Sequence, residues 1–196
     1  MELTIQDNFF EDPNLIRKIA LAQNYESSVG DRLIWPGYRT DASVLASTYL
    51  THRIWSLTGD ASLQITRSTF QYIPERYGEG SFHIDSPDKY TCIIYLTPNP
   101  PDNSGTEVCD EMDDPMSQEY WDEFIPIKQS FIKEGINQKE YDRMRKLSAE
   151  KINPIVKVNN KFNRMLIFSS HLFHRAQKFF GSSLVDSRLT LVSFIK

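Results

Sequence analysis

The chain has 196 residues, 40% of them hydrophobic and 12% aromatic, which supplies the core of one domain and is too apolar for a disordered segment. With 24% charged residues and a formal net charge of -4, it has no basic excess for gripping nucleic acid or another polyanion. Its longest apolar runs, such as Met165-Leu166-Ile167-Phe168, fall far short of the roughly 20 residues of a membrane span. The first residues lack the basic and apolar regions of a secretory leader, so the expected setting is cytoplasmic. Two cysteines make no disulfide framework, and Cys92, within a β-branched run, is expected to pack as a small apolar side chain.

Asp12-Pro13 has the form of an N-cap followed by proline in the first turn, and Leu15, Ile16, Ile19 and Ala20 recur behind it, predicting a helix over about 13–25. A loop with Gly30 and Trp35-Pro36-Gly37 leads to a second predicted helix over about 42–57, stopped by Gly59. The first 60 residues therefore read as helical support. Strands are predicted at 63–67, 69–73 and 91–97 from alternation and β-branched content, and a turn rich in proline precedes a short strand at 106–108.

The segment 110–151 holds eleven acidic and seven basic residues and so carries the entire net charge. Trp121, Phe124, Ile125 and Lys128 recur at helical intervals, interrupted by Pro126, and Asn137 to Glu140 has the spacing of a capping box opening another helix. Solvated helices packed on a sheet are one reading of this insertion; a wall or lid over a substrate is the other. Strands resume at 154–158, 164–168 and 189–195. The expected class is α+β, one domain over 1–196 built round an antiparallel sandwich or barrel.

His83-Ile84-Asp85 follows the glycine-rich turn Tyr77-Gly78-Glu79-Gly80, and side chains two apart on an extended segment point the same way, so imidazole and carboxylate can meet one metal ion. His174, between two predicted strands, is a candidate third ligand. Two histidines and a carboxylate leave half of an octahedral Fe(II) open for dioxygen chemistry. Arg188 and Thr190 share a face of the last strand, where a planar guanidinium matches one end of a dicarboxylate.

The motifs Phe70-Gln71-Tyr72, His83-Ile84-Asp85, Cys92 to Thr97, Asn103 to Glu107, Leu172-Phe173-His174-Arg175 and Arg188-Leu189-Thr190-Leu191 together resemble the Fe(II)/2-oxoglutarate-dependent dioxygenase superfamily, in its prolyl-hydroxylase-like branch. The resemblance runs from about residue 66 to the C-terminus, omitting the insertion. It implies a double-stranded β-helix, or jelly roll, with helices outside. It also implies His83, Asp85 and His174 as iron ligands, with Arg188, Tyr95, Thr190 and Tyr72 around 2-oxoglutarate. His171 is the rival to His174, and the Leu-Phe-His-Arg context favours the latter. His52, in a predicted helix, is expected to be non-catalytic.

The implied cofactors are Fe(II), 2-oxoglutarate and O2, with ascorbate as supporting reductant. The implied reaction is hydroxylation with release of succinate and CO2. A protein or peptide side chain, prolyl or other, is the favoured substrate; a free amino acid or metabolite is the alternative, and a non-catalytic metal-binding jelly roll is a third reading. A homodimer is the candidate assembly, since the family commonly pairs through its helices.

Overall fold

The computed structural model describes residues 3–29, 34–40, 44–85, 87–109 and 115–196. The large sheet is assembled from β1 (Leu3–Gln6), β2 (Glu26–Val29), β3 (Ile34–Arg39), β4 (Ile65–Ile73), β5 (Tyr90–Tyr95), β8 (Met165–Ser169) and β10 (Arg188–Ile195), in the order β1-β8-β5-β10-β4-β3-β2. A small sheet, β7-β6-β9, is made of β6 (Thr106–Val108), β7 (Val156–Val158) and β9 (His174–Ala176). Every pairing in both sheets is antiparallel. The described fold also has four α-helices, α1 (Pro13–Leu21), α2 (Val44–Thr58), α3 (Gln118–Glu134) and α4 (Gln138–Lys151), and a short 3-10 turn at Glu75–Tyr77. The class is α+β, as expected, and α3 and α4 interrupt the strands between β6 and β7.

Alternation along the central strands builds two cores. Cys92 and Ile94 of β5, Met165 and Ile167 of β8, and Leu189 and Leu191 of β10 pack with Ala20 of α1 and with Leu50 and Ile54 of α2. The intervening Ile93, Tyr95, Leu166, Phe168 and Val192 face the other way and meet Val108 and Val158 of the small sheet. Strands buried on both faces need continuous apolar sequence, which accounts for the run at 165–168. Cys92 is wholly buried and unpaired, and burial pushes its thiol up to about 12, in keeping with an apolar packing role.

Several expectations change. The first 60 residues are not mainly helical: β1, β2 and β3 lie there, and β3 contains the Pro36-Gly37 pair expected in a loop. Tyr38 and Arg39 pair with Tyr72 and Gln71 of β4, a partnership that local sequence does not announce. The strands predicted at 63–67 and 69–73 form the single β4, and α1 ends at Leu21. The expected start of α2 at Ala42 lies outside the described residues.

Pro126 does not interrupt α3; it sits on an exposed stretch where the carbonyl left unpaired by a missing N–H can be solvated. The capping box at Asn137 does not form. Asn137 adopts a left-handed backbone (φ 59°) and its side chain donates instead to Ser130 Oγ, 3.0 Å away. Asp12 does cap α1, accepting from the Leu15 N–H at 3.0 Å. No helix among the described residues is long and apolar enough to cross a membrane.

Candidate metal centre and its cleft

Residues 80–83 run beside β9. The Gly80 N–H donates to Ala176 O at 3.0 Å, and a Cβ there would lie 2.8 Å from Ala176 N, so the close approach requires glycine. The approach ends in a reciprocal bridge between His83 and His174, with N–H to O distances of 3.1 and 3.0 Å. Directly opposed residues of an antiparallel pair project to one face, and the two imidazole centroids stand 4.3 Å apart. Asp85, tied by its N–H to Ser170 O at 2.9 Å, sets its carboxylate 3.1 Å from His174 Nε2 and 3.7 Å from His83 Nε2.

The three donor atoms lie within 4.8 Å of one another. Both rings have a carbonyl at Nδ1, Ser81 O for His83 and Leu172 O for His174, each at 2.9 Å. These carbonyls hold the proton on Nδ1 and leave the Nε2 lone pairs directed at the common point, as metal-binding imidazoles require. Burial and the neighbouring His174 depress His83 to about 3, so the ring is neutral at ordinary pH. Burial pushes the Asp85 carboxyl up, but the adjacent His174, His83 and a 2.9 Å hydrogen bond from Thr91 Oγ1 outweigh it and hold the group ionised. His171 is exposed and stands outside the cluster; His52 sits on α2 against Trp55.

A cleft opens from this cluster toward Arg188, whose side chain is almost fully buried. Its Nε donates to Ser104 O at 3.1 Å, its Nη2 to Thr106 Oγ1 at 3.3 Å, and its guanidinium lies 5.4 Å from the Tyr95 ring centroid. These partners are all neutral. Tyr95 is fully buried and its hydroxyl bonds Thr106 Oγ1, itself a cleft residue, at 2.7 Å. Thr190 pairs in register with Tyr95, and its buried Oγ1 has no hydrogen-bond partner.

Tyr72 is not brought to the cleft. The pleat of β4 presents Gln71 and Ile73 there and turns Tyr72 to the opposite face, where it stacks on Tyr38 at 4.8 Å and meets Tyr25 edge-on. Residues to which sequence reading gave no role in the site complete the walls: Trp35, Arg39, Gln71, Thr91, Lys128 and Arg175. Of these, Thr91 was accessible from the alternation of its strand and Arg175 from its place beside His174. Helical spacing placed Lys128 beside Trp121, Phe124 and Ile125 but gave it no role in the site, and Arg39 had no local signal.

No family model matches the chain, and no curated protein sequence is detectably similar to it. Solved structures do resemble it. HygX from Streptomyces hygroscopicus, with nickel, 2-oxoglutarate and hygromycin B bound, superposes with a TM-score of 0.62 at 10% identity, over 99% of this chain and 82% of that one. A prolyl hydroxylase from Trichoplax adhaerens, in complex with a hypoxia-inducible-factor peptide fragment, gives 0.57 at 15% identity over 99% and 83%. An oxidoreductase of the 2OG-Fe(II) oxygenase family from Burkholderia pseudomallei gives 0.56 at 11% over 100% and 84%. The chain thus has the fold of the 2-oxoglutarate/Fe(II) oxygenases, prolyl hydroxylases among them.

Proposed function

We propose that this protein is an Fe(II)- and 2-oxoglutarate-dependent dioxygenase, its two facing sheets forming the jelly roll of that class. The observation that carries the reading is the convergence of two imidazole Nε2 atoms and one ionised carboxylate within 4.8 Å, in a cleft that ends at a buried guanidinium without an anionic partner. The donor set suits iron, two neutral imidazoles and one carboxylate leaving coordination positions free. The Arg188 end suits a carboxylate, and the unpaired Thr190 Oγ1 adds a donor in the same layer.

In this reading His83, Asp85 and His174 hold the metal, and Ser81 O, Leu172 O and Thr91 Oγ1 fix the orientation of those ligands. Arg188 pairs with the distal carboxylate of 2-oxoglutarate, and Tyr95 supports the Thr106 hydroxyl that Arg188 also touches. Phe168 and Trp35, with centroids 4.6 Å from His174 and His83, shield the ligand rings from water. When bound, iron with 2-oxoglutarate and O2 supplies the oxidising power: one oxygen atom enters a substrate C–H bond, the other enters succinate, and CO2 leaves.

The test is succinate release from 2-oxoglutarate under Fe(II) and ascorbate, with calorimetry of 2-oxoglutarate binding to Mn(II)-loaded protein. Wild-type protein is expected to bind and convert the cosubstrate, and Asp85→Ala to lose conversion. Unimpaired turnover in Asp85→Ala, or no 2-oxoglutarate binding by wild type with either metal, defeats the proposal.

A further inference from the structure

The cleft wall formed by β3, β4 and α3 carries charge that the cosubstrate end leaves unused. Arg39 donates its Nε to Gln71 Oε1 at 2.9 Å, with its guanidinium 5.2 Å from the Trp35 ring centroid. Lys128 reaches in from α3 and places Nζ 5.2 Å from the same ring. Trp35 in turn lies edge-on to His83, so both cations are one indole away from the proposed metal ligands. Arg175, by contrast, is already neutralised by Glu107 at 2.7 Å and Glu79 at 3.6 Å. Among the described residues, neither Arg39 nor Lys128 has an ion-pair partner. Among the described residues the one acid lining the cleft, Asp85, is engaged by two imidazoles.

Holding two cations close together, partly out of water and without a counter-ion is costly. Burial pulls Lys128 down to about 8, with Arg39 lowering it further, and burial pulls Arg39 down to about 10, with Arg67 lowering it further. The source of Lys128 sharpens the point. The 110–151 segment carries the whole acidic excess of the chain, yet among the described residues the side chain it contributes to the cleft is a lysine. Among its described acids, Glu123 and Glu140 pair with Arg143, and Asp142 pairs with Arg145.

We infer that the substrate to be oxidised is a small acid, bearing a carboxylate or a phosphate, whose anionic group is held between Arg39 and Lys128 while its C–H portion lies along Trp35 toward His83. This rests on the oxygenase reading for the oxidation and not for the binding. Because Trp35 touches both the cations and His83, anchor and reacting carbon belong to one compact molecule. A neutral prolyl side chain leaves both cations unpaired.

Binding is measured on metal-free protein by calorimetry, with benzoate, phenyl phosphate and neutral benzamide as probes. Either anion is expected to bind about tenfold or more tightly than benzamide, the scale of one charge-assisted contact. Lys128→Met is expected to remove that advantage and Lys128→Arg to keep it, with unchanged far-UV circular dichroism showing that both variants fold. Preference for benzoate assigns a carboxylate substrate, and preference for phenyl phosphate a phosphate. Equal binding of benzoate and benzamide overturns the inference, as does anion binding lost in Arg188→Met but indifferent to Lys128→Met. Because the binding measurement contains neither metal nor 2-oxoglutarate, absence of succinate release in the separate assay with Fe(II), ascorbate and 2-oxoglutarate defeats the oxygenase reading alone, and absence of anion preference defeats the substrate class alone.

Discussion

Replacing Arg188 by methionine is expected to move stability and cosubstrate affinity in different directions. The guanidinium is 2% exposed and is held by two hydrogen bonds to neutral oxygens, at 3.1 and 3.3 Å. Losing both costs about 0.5–1.5 kcal/mol each. Thr106 Oγ1 keeps its Tyr95 partner at 2.7 Å, and a methionine thioether packs on the Tyr95 ring that Arg188 now covers. Against this stands the release of a buried charge without counter-ion, a penalty of several kcal/mol that burial registers by lowering the Arg188 pKa. The metal-free variant should therefore be as stable as wild type or more so. Affinity for 2-oxoglutarate should fall by about 2–5 kcal/mol, some 30-fold to several thousand-fold in Kd, as when one side of a buried charge pair is removed. Urea denaturation of the metal-free proteins and calorimetry of 2-oxoglutarate into the Mn(II)-loaded forms read the two quantities separately. A stability loss above about 3 kcal/mol, more than the two hydrogen bonds allow, refutes the uncompensated-charge argument. A Kd within threefold of wild type refutes the role of Arg188 toward the cosubstrate.

Gly105→Ala should destabilise by about 1–3 kcal/mol or more, because the added Cβ would sit 1.8 Å from Val158 O and 2.8 Å from Asn160 N, backbone atoms that cannot swing away; a thermal melt equal to wild type contradicts this. Asp7 bridges Arg164 at 2.6 Å and Lys161 at 2.8 Å, and those hydrogen bonds lower its pKa from 3.8 to about 2. A carboxylate depressed in the native state stabilises above its unfolded pKa and loses the effect as pH falls through the native one. Asp7→Asn should thus cost about 0.5–1 kcal/mol at pH 7, a figure reduced for its partial exposure, and the difference should shrink as the pH falls from about 4 toward 2; a difference independent of pH rules out the ion pair as its origin. Cys92, with its thiol raised to about 12 and its surface fully covered, should resist iodoacetamide in native protein at pH 8 and react after unfolding, as peptide mass spectrometry would report.

The central strands were legible because their signal is local. Cys92 to Tyr95, Met165 to Phe168 and, apart from Ser193, Leu189 to Ile195 are apolar or β-branched on both faces, as strands between two cores must be. The candidate ligands were legible for a related reason: histidine is scarce in this chain, and a spacing of two on an extended segment brings His83 and Asp85 to one side whatever surrounds them. The helix at 13–21 followed from its cap and first-turn proline.

Tertiary pairing decided the remainder. A strand through Trp35-Pro36-Gly37 exists because β4 offers it an edge, and β1 forms because Leu3 to Gln6 find Met165 to Phe168 some 160 residues away. Alternation shows that Phe70 and Tyr72 share a face, but only the packing of α1 and α2 makes that the face away from the cleft. The backbone bridge to His83, not spacing, selects His174 over His171 as the neighbour of Asp85. The pairing of Lys128 with Arg39 around Trp35 joins an acidic insertion to a strand that sequence concealed. Composition and periodicity report what each residue carries and which way it faces its own strand or helix; the partner across a cleft depends on contacts between segments far apart in the chain, and those are settled only when the sheets close.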